Sequence, residues 1–536
     1  MEQSFALAWH GAVETTNTGF SRLIDEASSD GKDHEQVGSA KWVALAQAMQ
    51  TPPRRSVDDE PDWEENLFMP AGYTYLAQFA AHDLSFDTAA SMTLHGRGPN
   101  PRTPRFDLDC LYGAGPTDQP FMYAEDRATL LLGRTAQGSH DLLRTRPDNG
   151  EAPRAIIGDP RNDENAIICQ LHIAFIRFHN EVVKQLKAAG RVTNLFEAAR
   201  NEVRWTYQRI LVEDFLPRLV RAEVRADFDV RRSPDQKGRS QNAGAYRLFP
   251  GPRDAIPLEF AQAAFRFGHS MVRNGYRLNR RRGPVRLFRT GDAPRDNDLL
   301  GFEPLEDEHV IDSWSMFFPD SGREGHGVPW PGTNPGPSYD SDRENRLQYA
   351  YKIDTSIVDP LANLPAALAA SVGPSLSLRT LLRGRHSCLP SGQQIAARLD
   401  KSPLDPSKHL RTRRLKPGDP PMLEFEPIDD AFKQHTPLWF YVLAEAQAPI
   451  LNALERTNFS CEPGFLFDEP ATGTQLGWVG GTIVLETIHG LLDSDPDSYR
   501  NHRDADGWKP LIGKFRMWDL VTRKFGSSAS DGDAPA

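Results

Sequence analysis

The stretch Gly158–Asn165, with the sequence GDPRNDEN, begins a long helical pattern and decides the fold. Pro160 fixes its own φ, and Asp159 can cap the first turn with its carboxylate. Arg161 and Glu164 are three residues apart, so they share one face of that turn. Apolar and semi-polar side chains then recur at helical spacing, at Ile168, Leu171, His172, Phe175, His179 and Val182. The stretch predicts a turn that places an arginine and a glutamate at the start of a buried helix.

The composition limits the class of protein. The chain has 536 residues, with 62 basic and 73 acidic side chains and a formal net charge of −11. This acidic balance argues against nucleic acid as the main partner. No stretch reaches about 18 consecutive apolar residues, so no membrane span is expected. Size and composition therefore predict a soluble globular protein.

The cysteines and the N-terminus bear on the cellular compartment. Four cysteines are scattered and form no C-x-x-C pair, which argues against a disulfide framework or a zinc site. The N-terminal segment MEQSFALAWHG lacks a basic region and a long apolar run, so no secretory signal is visible. We therefore expect a cytoplasmic protein, with non-classical export left open.

The patterns predict a mainly α fold built as one large domain with little β structure. Helical periodicity dominates, and alternating β-branched runs are few. Residues 1–65 are polar and mixed, and we expect an N-terminal extension that wraps the domain. The domain itself is predicted over residues 66–525. The last residues, 526–536, are small and acidic, and we expect a disordered tail.

Two predicted helices carry a histidine each. In Thr74–Leu84, Gln78 and His82 are four residues apart and therefore lie on one side of the helix. In Leu258–Val272, His269 stands among bulky apolar residues directly after a glycine, which removes a side chain where a large group could approach. Taken alone, a histidine in such a place is more often a hydrogen-bonded core residue than a ligand.

A polar loop follows the first histidine. Thr103, Asp107 and Asp109 place oxygen-bearing side chains in a T-x-x-x-D-x-D pattern. Alternate residues of an extended segment point the same way, and calcium takes about six to eight oxygen ligands. The same pattern is also typical of an Asx-rich turn, so the loop alone does not establish a calcium site.

Five segments between about residues 70 and 400 follow the order of one known family. They resemble the distal-histidine segment, the calcium loop, the distal-arginine helix, the proximal-histidine helix and the segment after it in the animal haem peroxidases, the peroxidase–cyclooxygenase superfamily. The segments are Phe79–Asp83, Thr103–Gly113, Gly158–Asn180, Ala264–His269 and Leu382–Pro390. The chain most resembles bacterial members. The resemblance implies a large helical fold around a buried haem.

The resemblance also implies a haem-dependent peroxidase. Such an enzyme uses hydrogen peroxide to form a ferryl intermediate and then oxidises small organic donors, halide or pseudohalide. His269 would ligate the haem iron through a neutral imidazole. His82 would take a proton from bound peroxide and return it to the leaving oxygen, while Arg161 stabilises the charge that builds there. Gln78 would hold water or halide beside His82.

Further contacts to metal and cofactor are implied by the same resemblance. Arg383 corresponds to an arginine that binds a haem propionate, and Arg266 would line the proximal side of the haem. The implied calcium ligands are Asp83, Thr103, Arg105, Asp107 and Asp109, with Arg105 contributing only its carbonyl oxygen.

Three positions depart from the family pattern. Ala81 stands where mammalian members carry an aspartate that esterifies haem, so we expect haem b held non-covalently or by at most one ester through Glu164. Asn165 replaces a methionine that forms a sulfonium link in myeloperoxidase, which argues against chloride oxidation. Thr380 stands where an asparagine normally accepts a hydrogen bond from the proximal imidazole, which predicts an altered anionic character of His269.

Three other functions compete with a peroxidase. A haem-dependent fatty-acid oxygenase would carry a radical-forming tyrosine three residues before the proximal histidine, where this chain has Arg266. His82–Asp83 could belong to an HD-type metal phosphohydrolase, but no suitable upstream ligand accompanies it. A haem-binding protein without activity would not need Gln78, His82 and Arg161 together. Hydrogen peroxide and a small reducing substrate are therefore the expected partners, while the reductant and the oligomeric state stay open.

Overall fold

The computed structural model describes most of the chain, and its helices dominate, as predicted. The described residues are 19–52, 63–86, 100, 102–148, 150–190, 193–232, 246–249, 255–288, 298–319, 347–369, 373–467, 473–502, 508, 510–512 and 514–522.

Sixteen α-helices lie in these described ranges. In chain order they are α1 (Ser39–Ala48), α2 (Gly72–Leu84), α3 (Asp109–Tyr112), α4 (Gly115–Asp118), α5 (Ala166–Ala189), α6 (Leu195–Ile210), α7 (Leu216–Leu219), α8 (Ala222–Arg232), α9 (Leu258–Gln262), α10 (Gly268–Met271), α11 (Asp359–Ala362), α12 (Leu376–His386), α13 (Gly392–Arg398), α14 (Leu438–Ala453), α15 (Trp478–Ser494) and α16 (Met517–Thr522). None of the described helices is long and apolar enough to cross a membrane.

The strands are short and form small separate sheets. In chain order they are β1 (Phe20–Ser21), β2 (Glu65–Pro70), β3 (Leu132–Arg134), β4 (His140–Leu142), β5 (Ile256–Pro257), β6 (Gly275–Tyr276), β7 (Val285–Arg286), β8 (Tyr349–Tyr351), β9 (Arg411–Lys416), β10 (Met422–Pro427) and β11 (Ser460–Cys461). Antiparallel β9 and β10 pair in register from Arg411↔Pro427 to Lys416↔Met422, with β11 beside β10. The remaining sheets are pairs, among them parallel β1 and β5.

The start of α5 uses two separate caps. The Asp159 carboxylate accepts a hydrogen bond from the Arg161 N–H at 2.9 Å and so caps a short 3₁₀ turn over Pro160–Asp163. The Asn165 side chain then caps α5 itself by accepting hydrogen bonds from the backbone N–H groups of Ile167 and Ile168 at 3.1 and 3.0 Å. Gly190, with φ of +68°, ends the helix. The predicted turn and buried helix are therefore present, with the arginine on the turn and not on the helix.

Three aromatic side chains hold α2, α5 and α6 together. The rings of Phe79 and Phe175 stack at a centroid distance of 4.6 Å and an angle of 4°. The ring of Tyr207 meets both rings edge-on at 6.1 and 5.8 Å. All three side chains are fully buried, so the histidine-bearing helix α2 has a fixed position against the long helix α5.

A glycine allows the chain to enter α2 from β2. A Cβ atom at Gly72 would lie 2.5 Å from the Phe318 ring and 2.7 Å from the Phe317 carbonyl oxygen. The Gly72 N–H also donates to that carbonyl oxygen at 3.0 Å. Any side chain at this position would therefore push the first turn of α2 away from its support.

The helix predicted over Leu258–Val272 is interrupted. The structure divides it into α9, a 3₁₀ turn over Ala264–Phe267, and α10. Ala263 between them has φ of −133° and ψ of −75°, outside the helical region. The prediction of one continuous helix was therefore wrong, because apolar spacing does not reveal a local break in the backbone.

The described N-terminal residues pack on the body of the protein. Trp42 on α1 is fully buried and meets the ring of Phe432 edge-on at 4.9 Å. Arg22 donates to the carbonyl oxygen of Ser387 at 2.6 Å. The predicted boundary between an extension and the domain near residue 65, and the predicted tail beyond residue 525, stay predictions. Residues 523–536 lie outside the described part of the chain.

Replacing Phe175 by alanine is expected to lower the free energy of unfolding by about 3–5 kcal/mol, since it opens a cavity between three helices. The shift of the urea unfolding midpoint measures the effect. Phe121→Ala is the matched control, because that side chain is 56 % exposed and its removal should change stability by no more than about 0.5 kcal/mol. Equal effects of the two variants would contradict the assignment of the core.

Candidate functional site

One cavity of about 320 Å³ brings most of the predicted site residues together. It lies between α2, the turn before α5, the segment from α9 to α10, and α12. This volume is typical of small-molecule and cofactor sites. The predicted residues that line it are Gln78, His82, Arg161, Glu164, Arg266, His269 and Arg383. Two histidines that are far apart in the sequence therefore face the same space.

His82 presents one ring nitrogen as a base. Its Nδ1 donates a hydrogen bond to the side-chain oxygen of Asn162 at 2.8 Å, so Nε2 carries the lone pair. Burial, and then the guanidinium of Arg161, lower the pKa of His82 to about 3. The imidazole is therefore neutral at physiological pH and can accept a proton through Nε2.

Arg161 is held rigidly at the edge of the cavity. Its Nε and Nη2 donate to the two carboxylate oxygens of Asp159 at 3.1 and 2.7 Å. Nη2 also donates to the carbonyl oxygens of His82 and Ser85 at 3.1 and 2.5 Å. Burial alone would raise the pKa of Asp159, but the Arg161 charge outweighs it and holds that pKa well below its usual range. These bonds therefore fix the guanidinium beside the base.

Gln78 and Glu164 form a hydrogen-bonded pair in the wall of the cavity. The Gln78 side-chain amide donates to a carboxylate oxygen of Glu164. Burial raises the pKa of Glu164 from 4.5 to about 7. This carboxyl group is therefore partly protonated near neutral pH. Gln78 is predicted to hold water or halide beside His82, and one N–H of its side-chain amide donates to Glu164.

His269 also reaches the cavity as a neutral imidazole. Its Nδ1 is buried and has no hydrogen-bond partner among the described residues, while the residue itself lines the cavity. Burial and three nearby guanidinium groups lower its pKa to about 3. The ring of Trp439 meets the imidazole edge-on at 5.8 Å, and its indole N–H donates to the Arg266 carbonyl oxygen at 3.1 Å. A neutral imidazole on a packed support is the form that ligates haem iron.

Thr380 does not hydrogen-bond to His269. Its hydroxyl donates to the carbonyl oxygen of Leu376, one turn earlier on α12, at 2.9 Å. Threonine often makes this bond inside helices. The residue is buried behind the cavity wall, so its expected contact with the imidazole is not formed, and its effect on His269 stays a prediction.

Three arginines line the part of the cavity near His269, and one of them was not foreseen. Arg379 precedes Arg383 by four residues, so the two lie on the same face of α12. Arg379 also donates to the carbonyl oxygen of Leu368 at 3.1 Å, and Arg266 to that of Ala261 at 3.1 Å. Guanidinium groups suit carboxylates. The i, i+4 spacing in the sequence was a signal that could have identified Arg379.

These residues fit a haem. The cavity offers a neutral imidazole, positive side chains for the two propionates, and an apolar wall. A Cβ atom placed on Gly268 would meet nothing within 4 Å, so the space beside His269 is open. The apolar wall is formed by Ile256, Phe260, Phe265, Leu287 and Phe288.

The predicted acidic loop forms a cluster that could hold a cation. Ligand oxygens of Asp83, Asp107 and Asp109 lie within 4.8 Å of one another. Both carboxylate oxygens of Asp83 are buried without a hydrogen bond of ordinary geometry to the described residues. Burial, and then the two neighbouring carboxylates, raise the pKa of Asp83 well above its usual value. Three crowded acids, one of which has two buried oxygens without such a bond, suit a hard cation such as calcium.

The other two predicted loop ligands lie close to this cluster in the chain. The Thr103 hydroxyl donates to an oxygen of Asp107 at 2.7 Å. The Arg105 side chain points elsewhere and pairs with Asp495 at 3.6 Å, which leaves only its carbonyl oxygen for the predicted role. Burial, and then Asp107, raise the pKa of Asp109 to about 8.

Arg102, which no sequence pattern indicated, joins the acidic cluster to the cavity. It pairs with Asp109 at 3.1 Å and with Asp159 at 2.8 Å, the carboxylate that holds Arg161. It also donates to the carbonyl oxygen of Gly158 at 3.0 Å. A Cβ atom at Gly158 would lie 2.5 Å from the Asp109 carbonyl oxygen, so the two loops are in direct backbone contact.

Asn162 is a second residue that sequence reasoning missed. It follows Arg161 directly, and its amide lies between the ring of His82 and the ring of His172. Its position inside the distal-arginine segment was the only sequence signal for a role in the site. No local spacing rule connects Asn162 to His82, which lies 80 positions earlier.

Comparisons with known proteins find similarity to haem peroxidases over part of the chain. The family model described as animal haem peroxidase matches residues 95–290. A dual oxidase of Drosophila melanogaster is 29 % identical over 123 residues, which are 22 % of this chain and 7 % of that protein. A peroxidase-like protein of Margaritifera margaritifera is 32 % identical over 120 residues, 22 % of this chain and 14 % of that protein. The chain thus spans only a small part of the length of these curated relatives.

A solved structure shares the fold over nearly the whole chain. Peroxidase A from Dictyostelium discoideum superimposes with a TM-score of 0.54 at 14 % sequence identity. The match covers 95 % of this chain and 93 % of that one. At this identity the likeness concerns the fold and not the activity.

Replacing Glu164 by glutamine is expected to make stability less dependent on pH. The folded wild-type protein binds more protons at this carboxyl group than the unfolded chain between pH 4.5 and 7, so its stability falls as pH rises. Relative to Glu164→Gln, the wild-type protein should lose about 3 kcal/mol between pH 4.5 and 8. Urea unfolding without added haem measures this difference, and a constant gap between the two proteins across this range would contradict it.

Proposed function

We propose that this chain is a haem-dependent peroxidase of the animal haem peroxidase family, whose family model matches residues 95–290. In this proposal it reduces hydrogen peroxide and oxidises small organic donors, or halide or pseudohalide. The observation that carries the proposal is that His82, Arg161 and His269 line one cavity of cofactor size, with both imidazoles neutral.

The cofactor in this proposal is haem b, with His269 as the residue that holds its iron. Bound haem supplies the electrons for cleavage of the O–O bond. Arg266, Arg379 and Arg383 would bind the propionates through their guanidinium groups. Glu164 is the cavity carboxylate that could form an ester with haem, and at most one such bond is proposed.

The residues of this chain would move one proton and stabilise one charge. Nε2 of His82 accepts a proton from peroxide, and the resulting imidazolium returns it to the outer oxygen, which leaves as water. Arg161 stabilises the negative charge that builds on that oxygen, because its own position is fixed before the reaction by Asp159. Gln78 and Glu164 orient water in the same space.

The competing functions have less support. A fatty-acid oxygenase would need a radical-forming tyrosine at position 266. This position does line the cavity, but an arginine occupies it. An HD-type phosphohydrolase would need His82 and Asp83 to share one metal. Here the His82 ring bonds to Asn162 and lines the cavity, while the Asp83 carboxylate lies in the acidic cluster with Asp107.

The acidic cluster is proposed to bind calcium. Asp83, Asp107 and Asp109 would supply side-chain oxygens, with Thr103 and Arg105 completing the site through their hydroxyl and carbonyl oxygens. Because Asp83 follows His82 on α2, a bound cation would hold that end of the helix in place.

His82→Gln is expected to retain haem and to slow the reaction with peroxide by about 10²- to 10⁴-fold, which is the contribution of a general base. His269→Gln should instead lose haem. Haem content from the Soret band and stopped-flow peroxide kinetics separate the two effects. His435→Gln is the control, since this partly exposed histidine pairs with Asp30 away from the cavity. Full peroxide reactivity in His82→Gln would overturn the proposed function.

Asp83→Asn is expected to raise the dissociation constant for calcium by at least about tenfold, because it removes one of three ligand charges. Calorimetric titration of the metal-free protein with calcium measures the constant. Asp118→Asn, at an exposed position on α4, should leave it unchanged. An unaltered affinity for calcium in Asp83→Asn would contradict calcium binding at this cluster.

A further inference from the structure

A chain of buried polar groups extends from the cavity into the core. Nδ1 of His82 lies 2.8 Å from the side-chain oxygen of Asn162, and the Asn162 amide nitrogen lies 3.0 Å from Nδ1 of His172. Asn162 and His172 are fully buried, and His82 is 7 % exposed. Nothing in the proposed proton transfer uses Asn162 or His172 directly, so their arrangement needs another explanation.

The direction of these hydrogen bonds determines which nitrogen of His82 can act as a base. The Asn162 oxygen can only accept, so it requires a proton on Nδ1 of His82 and leaves Nε2 unprotonated. The opposite amide orientation would place N–H groups against Nδ1 and move the ring proton to Nε2. In that arrangement His82 would have no lone pair directed at the cavity and could not accept the peroxide proton.

His172 completes the observed orientation. Its Nδ1 accepts from the Asn162 amide, so its own proton is on Nε2, which is buried without a partner among the described residues. The ring is fixed from the other side by Phe79, edge-on at 6.0 Å. A buried N–H without a partner costs about 1–3 kcal/mol. Such a cost is typical of a site where geometry serves function rather than stability.

The turn that carries Asn162 also carries Arg161. Both residues belong to the 3₁₀ turn Pro160–Asp163, and the Asn162 N–H donates to the Asp159 carbonyl oxygen at 3.0 Å. Arg161 binds the main-chain carbonyl of His82 while Asn162 binds its ring. One short turn therefore fixes the backbone, the ring and the guanidinium relative to one another.

We propose that Asn162, supported by His172, is a positioning residue that holds His82 as the Nδ1–H tautomer. Its chemical consequence rests on the proposed peroxidase function. Nε2 takes one proton from hydrogen peroxide, Nδ1–H stays on Asn162 throughout, and Nε2–H then gives the proton to the leaving oxygen, forming water. Asn162 itself gains and loses no proton. The two electrons for cleavage of the O–O bond would come from bound haem.

The tautomer is measured without any cofactor. In protein labelled with ¹⁵N-histidine, the ring nitrogen shifts of His82 are expected to report Nδ1–H in the wild-type protein. Asn162→Leu should produce a mixture or the Nε2–H form. Asn162→Asp keeps an acceptor oxygen and should restore Nδ1–H. The control is Asn201→Leu on α6, a partly buried asparagine whose oxygen accepts from Arg204 at 2.8 Å. Nε2–H in the wild-type protein, or an unchanged Nδ1–H form in Asn162→Leu, would overturn the proposal.

The consequence is measured on haem-loaded protein by association of cyanide and of peroxide, since both ligands deliver a proton to His82. Asn162→Leu should slow both by at least about tenfold, part of the 10²- to 10⁴-fold contribution of a general base. Asn162→Asp should stay closer to the wild-type rate than Asn162→Leu, because its carboxylate still accepts from Nδ1 and preserves the tautomer. A merely structural role would lower haem content or stability and leave the rate per bound haem unchanged, which would overturn the proposal.

The two proposals can fail separately. If the wild-type protein binds haem and does not react with peroxide, the peroxidase function fails, while the nitrogen shifts still decide the role of Asn162. If peroxide reacts and the Asn162 variants match wild type, only the role of Asn162 fails. Should Asn162→Leu not fold, Asn162→Ala, which adds no bulk, takes its place with the same expected results.

Discussion

The ion pair between Asp159 and Arg161 is the interaction on which the rest of the site depends. Asp159 is fully buried, and an unpaired charge there would cost several kcal/mol. Both Arg161 and Arg102 bind this carboxylate, so the three side chains can be buried only as a set. Because Arg161 also bonds to two carbonyl oxygens at the end of α2, the pair fixes the long helix, the turn and the histidine helix relative to one another.

The acidic cluster and the cavity both use side chains from the end of α2. Consecutive residues on an α-helix point about 100° apart, so His82 reaches the cavity while Asp83 reaches the acidic loop. The same loop touches Gly158 through its backbone and Asp159 through Arg102. A cation bound by the cluster would therefore stabilise the loop, the end of α2 and the turn before α5 together.

Burial gives the titratable groups of the cavity the protonation states that the proposed chemistry needs. Both His82 and His269 are neutral because burial removes the hydration of their charged forms, and because nearby guanidinium groups disfavour those forms further. Glu164 is partly protonated for the same reason, with opposite effect on its pKa. The surroundings of each of these groups therefore set its pKa and its protonation state.

The sequence by itself determined the features that depend on neighbours along the chain. The Asp159 cap and the apolar stripe of α5 follow from local spacing, and the order of the segments around His82, Arg161 and His269 indicated a shared site, which the common cavity supports. Only the tertiary structure decided the roles of Asn162 and Arg102, because Asn162 contacts His82 across 80 positions and Arg102 contacts Gly158 across 56. Such contacts depend on how loops and helices cross in space. That crossing is set by the packing of the whole core, which local residue patterns do not encode.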